Sequence, residues 1–127
     1  MADRVDREAP GIARVIRANV GRLIIPAPVT AEIDYMLNAR IGAAAARNFL
    51  SDLADGLFRV ECLDSADYRT VVELEHRYEA LRPGLADLSI IVLAARFDTA
   101  RILTFDRHFR VFQPLGGGAF RLLPADD

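Results

Sequence analysis

Between Gly84 and Arg96 the chain reads Leu-Ala-Asp-Leu-Ser-Ile-Ile-Val-Leu-Ala-Ala, and Asp87 is the only ionisable side chain in it. At helical spacing, Leu85 to Phe97 is apolar nearly all round. Such a helix needs other layers packed over it. The longest unbroken apolar run, Ile90 to Ala95, is far below the roughly 18 residues of a membrane span. The chain must therefore fold around a buried helix. With 127 residues it has enough material for one such core, a single domain over 1–127.

The segments on either side supply the layers. Residues 7–19 carry Ile12, Val15 and Ile16 at helical spacing, and Gly21 ends that helix. Leu23 to Ile25 is a short apolar run closed by Pro26, which suits a buried strand. Pro28 suits the first turn of a helix reaching Arg40, with Val29, Ile33, Met36, Leu37 and Ile41 as its stripe. Gly42 stops it. A further helix runs from Ala43 to Ala54.

Leu57 to Leu63 alternates as a strand does, with Phe58, Val60 and Cys62 on one face and Arg59 and Glu61 on the other. Asp64 or Ser65 can cap the next helix, which continues to about Leu81. Arg82-Pro83-Gly84 breaks it. Arg101 to Thr104 and Ala119 to Leu123 read as strands. This alternation of helices and strands implies an α/β domain, with a largely parallel sheet and helices on both faces. Such folds usually begin with a central strand, whereas this chain begins with a helix.

Composition narrows the chemistry. Cys62 is the only cysteine, so intramolecular disulfides and cysteine-rich zinc sites are excluded. Asp3, Asp6 and Glu8 stand where a signal peptide would be basic and then apolar, and a cytoplasmic location is expected. The net charge of −2 argues against a protein that coats nucleic acid electrostatically. All 16 basic residues are arginine, the side chain that grips phosphate with a two-pronged fork.

Three acids fall where α/β folds collect their chemistry. Asp87 opens the buried helix. A carboxylate there is costly unless it is paired, bound to a cation, or held by first-turn amides. Asp106 follows the strand Ile102-Leu103-Thr104 by two residues, in a ligand-loop position or as the cap of a short helix through Arg107-His108-Phe109. Glu32 and Asp34 lie on opposite edges of one apolar stripe, and periodicity does not choose between them. Convergent carboxylates would repel one another unless a hard divalent cation, Mg²⁺ or Mn²⁺, joined them. Such ions support hydrolysis of phosphodiester bonds. His76 reads as a surface residue and Cys62 as a small core residue. A phosphoacceptor receiver domain also has α/β order and clustered acids. It further needs a lysine, and this chain has none.

Pro26-Ala-Pro-Val-Thr-Ala-Glu32-Ile-Asp-Tyr, Gly84-Leu-Ala-Asp87 and Ile102-Leu-Thr-Phe-Asp106-Arg-His-Phe109 together resemble the PIN-domain ribonucleases. The likeness is greatest to the VapC toxins of bacterial toxin–antitoxin pairs. It extends over essentially the whole chain, including the tail Pro114 to Pro124. It implies a three-layer α/β/α fold with a mostly parallel sheet. It also implies a Mg²⁺- or Mn²⁺-dependent endoribonuclease acting on transfer or ribosomal RNA, a VapB-type antitoxin partner and a homodimer. Glu32, Asp87 and Asp106 match the family's metal-binding acids, while Asp34 has no counterpart. Arg107 and Arg110 are the expected RNA-backbone contacts.

One departure is large. The family opens with an apolar strand ending in a metal-binding Asp, and Met1 to Pro10 contains no match for it. The expectation is a PIN-like domain lacking its N-terminal central strand, with a gap between the strands at Leu23 and Arg101. A native start further upstream is favoured over a decayed gene, because the core pattern and the three acids are intact. As it stands the chain is expected to be an impaired ribonuclease. The alternative is an inactive remnant that binds an antitoxin or dimerises without turnover.

Overall fold

The computed structural model describes residues 18–19, 21–104, 107–123 and 125–126, with backbone only at 107–108. The helix expected over 7–19 lies almost wholly outside them, as does Asp106. The described order is β1 (Ile24–Pro26), α1 (Ala27–Arg40), α2 (Ala43–Ala54), β2 (Arg59–Glu61), α3 (Ser65–Arg77), a 3₁₀ turn (Glu79–Leu81), α4 (Leu85–Arg96), β3 (Arg101–Leu103), a second 3₁₀ turn (Arg107–Arg110) and β4 (Arg121–Leu123).

Among the described residues all strand pairing is parallel, as the alternation requires. β1 pairs with β2, with Ile25 opposite Val60. β3 pairs with β4, with Ile102 opposite Leu122. Among the described residues these are two separate two-stranded ladders, and no described strand bridges them. β1 and β3, the strands that the sequence placed on either side of a gap, lie in different ladders.

Local chemistry sets the boundaries. Pro26 ends β1 at φ −59°, and Pro28 sits in the first turn of α1, where its missing N–H costs nothing. Gly42 adopts φ 138° between α1 and α2, a conformation closed to side chains with a Cβ. Asp64 caps α3 by a reciprocal box: its carboxylate accepts the Asp67 N–H at 2.8 Å, and the Asp67 carboxylate accepts the Asp64 N–H at 2.9 Å.

The core forms around α4. Leu88, Ile91, Val92 and Ala94 pack with Val71 and Leu74 of α3, Ile102 of β3 and Leu122 of β4. Three phenylalanines close it. Phe109 meets Phe112 and Phe120 edge to face, with ring centroids 5.3 and 5.8 Å apart. The apolar segment that constrained the fold is thus its centre.

Three expectations change. The helix from Asp64 does not run on to Leu81, because α3 ends at Arg77 and the chain tightens into a 3₁₀ turn. The strand expected over Leu57–Leu63 shortens to Arg59–Glu61. Cys62 is exposed, not a core residue. It falls one residue past β2, in the turn that leads to the Asp64 cap, where the strand's alternation no longer applies. His76 is exposed, as read from its acidic surroundings.

Candidate active site

The described acids of interest lie on two packed helices. The C-terminal end of β1 runs straight into α1, and both pack against α4. Glu32 lies in the second turn of α1 and Asp87 in the first turn of α4.

Asp87 owes its position to the link before it. Gly84 caps α4 without any side-chain hydrogen bond, so the first-turn amides have no capping side chain. A carboxylate three residues on sits in the favourable field of that helix end. Asp87 is half-buried and engaged with its surroundings. Ser89, the buried polar residue beside it, donates its hydroxyl to the Ala86 carbonyl at 2.7 Å and is satisfied within the helix.

On α1 the structure separates the two acids that periodicity left equal. Asp34 is half-buried, and its side-chain and main-chain oxygens accept the Asn38 amide at 3.4 and 3.1 Å, one helical turn away. Glu32 is exposed and bonds to no described residue.

Asp106 and the Arg107 side chain lie outside the described residues. Arg110 is described, and it is occupied. Its guanidinium donates two parallel hydrogen bonds of 2.7 Å to the Asp126 carboxylate, which also accepts the Leu122 N–H at 2.8 Å. This pairing holds the Asp126 carboxyl below the usual carboxylate range and pushes the Arg110 guanidinium up. Nothing in the sequence signals the contact, because Asp126 comes from the tail.

No group of three metal-capable side chains occurs among the described residues. The donors that the sequence selects are all carboxylates. Hard oxygen donors of this kind fit Mg²⁺ or Mn²⁺ rather than zinc or copper. A cleft of about 490 Å³ lies elsewhere, at the opposite end of α4 from Asp87, lined by Ala94, Asp98, Thr99, Pro114 and Leu115.

Comparison with known proteins gives two matches. The family model for the PIN domain matches residues 4–113. "Ribonuclease VapC26" of Mycobacterium tuberculosis (strain ATCC 25618 / H37Rv) is 32% identical over 123 residues, which is 96% of this chain and 91% of that protein. No described helix is long and apolar enough to cross a membrane.

Proposed function

The chain belongs to the PIN-domain family, and from that premise we propose that it is a VapC-type ribonuclease hydrolysing RNA phosphodiester bonds with a divalent cation. The observation that supports this reading is the packing of α1, which carries Glu32, against α4, which carries Asp87.

Glu32, Asp87 and Asp106 are the residues to hold Mg²⁺ or Mn²⁺. When bound, such an ion supplies positive charge to the phosphate and makes water a stronger nucleophile at neutral pH. The residues have separate tasks. Asp87, in the first turn of α4, would supply one side of the donor set. Glu32, exposed and unpaired within the described chain, would hold the cation from the α1 side. Arg107 and Arg110 position the RNA backbone, and Arg110 does so by exchanging the Asp126 carboxylate for a phosphate of similar geometry. The substrate is of the transfer or ribosomal RNA class. The partners are a VapB-type antitoxin and a second copy of the chain, in the cytoplasm.

The test is RNA cleavage in Mg²⁺ or Mn²⁺, with and without a chelator. Cleavage that stops on chelation and is lost in Asp87→Ala supports the reading. Cleavage that persists in both removes it.

A second reading is a chain that binds an antitoxin or dimerises without turnover, motivated by Met1 to Pro10 holding no match for the apolar strand and acid that open the family's fold. Titration with Mg²⁺ separates the two. Tight binding that depends on Glu32 counts against the inactive reading.

A further inference from the structure

At Arg82 the backbone preference and the residue type disagree. Arg82 closes the first 3₁₀ turn at φ 49° and ψ 56°, donating its N–H to the Glu79 carbonyl at 3.0 Å. This is the left-handed region, which disfavours any residue with a Cβ and is visited mainly by glycine, asparagine and aspartate. Pro83 follows, and a proline pushes the residue before it towards extended backbone. Both preferences are overridden at a single arginine. Backbone strain of this kind gathers where a side chain is needed in one place.

The side chain is uncommitted. Arg59 pairs with Glu61 and lies over the Phe97 ring at 5.0 Å. Arg96 holds the Cys62 carbonyl at 3.0 Å and the Asp67 carboxylate. Arg110 is taken by Asp126. Arg82 is exposed, and its guanidinium bonds to no described residue.

Its place in the chain is the third observation. Arg82 lies two residues before Gly84, the cap of α4, and Asp87 lies three residues after that cap. The arginine and the acid therefore flank one helix end. Two other exposed arginines stand at different element ends, whereas Arg77, at the end of α3, is separated from this link only by the first 3₁₀ turn. Arg101 adjoins the far end of α4, a helix of 12 residues and so about 18 Å long. Arg40 closes α1, the end away from Glu32's first turns.

We infer that Arg82 binds the phosphate backbone of RNA beside the acids of α1 and α4, an inference that rests on the ribonuclease reading. A guanidinium presents two parallel donors to two phosphate oxygens. It offsets the repulsion between the carboxylates and an incoming polyanion. The strained link fixes where that cation is anchored relative to Asp87.

The experiment uses an Asp87→Ala chain, in which turnover is blocked, and a fluorescent mixed-sequence single-stranded RNA oligonucleotide. Arg82→Gly is added, and RNA affinity, its salt dependence and thermal stability are measured together. Glycine relieves the backbone strain, so the melting temperature is expected to rise or hold. RNA binding is expected to weaken about tenfold, as for the loss of one charged hydrogen-bonding group. The slope of log affinity against log salt is expected to shrink by about 0.7, one phosphate contact. Arg82→Lys keeps the charge and is expected to keep most of the slope. Unchanged affinity and slope in Arg82→Gly overturns the inference. A fall in melting temperature alongside the loss of binding also overturns it, because the role is then structural. If the wild-type chain neither binds nor cleaves RNA, the ribonuclease reading fails and takes this inference with it.

Discussion

Helices α1 and α4 are similar in length and both are rich in apolar residues, yet α4 buries six of its residues and α1 buries none. Ile91 on α4 is fully buried, whereas Tyr35 on α1 is 73% exposed. The α4 side has α3, the β3–β4 ladder and the three phenylalanines packed around it. Among the described residues, the α1 side has mainly α2, where only Ala46 and Phe49 are buried, along with β1 and a flank of α4. Asp87 thus stands on a fixed post and Glu32 on a lightly held one. A site built across that boundary has one rigid donor and one that depends on how α1 sits.

The largest expected effect breaks the fixed side. Ile91→Ala removes a fully buried side chain and is expected to cost about 3 kcal/mol of stability in denaturant unfolding. Ile33→Ala, half-buried on α1, is expected to cost about 1 kcal/mol or less. Equal losses would show that α1 is as firmly packed as α4.

The next effect concerns chemistry. Asp87→Asn is expected to lower metal-dependent RNA cleavage by about 100-fold, the scale for loss of a metal-site group. Glu32→Gln is expected to lose less, and higher Mn²⁺ should recover more of it, because α1 has less packing to overcome. Recovery of Asp87→Asn but not Glu32→Gln would invert the assignment of rigid and adjustable donors.

A smaller effect is pH-dependent. The Asp126 carboxyl is held below its ordinary value of 3.8 by Arg110, and Asp64 by the Asp67 amide. Each contributes stability that is present above pH 3.8 and lost as pH falls through the lowered folded values. Melts between pH 2 and 6 should therefore show less loss on acidification in Asp126→Asn than in wild type. Identical slopes would remove the Arg110–Asp126 pair from the stability of the fold. The smallest effect is expected from Asp64→Ala, which opens the cap of α3: a slight fall in melting temperature with no change in RNA cleavage.

The same boundary explains what the sequence made legible. The α4 side could be read because burial on every face leaves an unmistakable pattern, the run from Leu85 to Ala95. Its cap, Asp64 before α3 and Gly84 before α4 were legible from ordinary capping and breaking preferences. The break of α3 at Tyr78 was not, because Glu79–Leu81 continues as a 3₁₀ turn and no glycine or proline stands between Ser65 and Pro83 to mark the change. The exposure of Cys62 was hidden by alternation that outlasts the strand itself. On α1 periodicity left Glu32 and Asp34 equal, the family resemblance singled out Glu32, and the contact of Asp34 with Asn38 was invisible to both. The capture of Arg110 by Asp126 joins residues from a 3₁₀ turn and the tail, and no local pattern encodes it.

The central claim is that Glu32 and Asp87 serve one divalent-cation site across the packed helices. Calorimetric titration of Mn²⁺ into the wild-type chain, Glu32→Gln and Asp87→Asn tests it most directly. Saturable binding by the wild type, weakened at least tenfold by either substitution, is expected. Mn²⁺ binding that is unaffected by either substitution would contradict it.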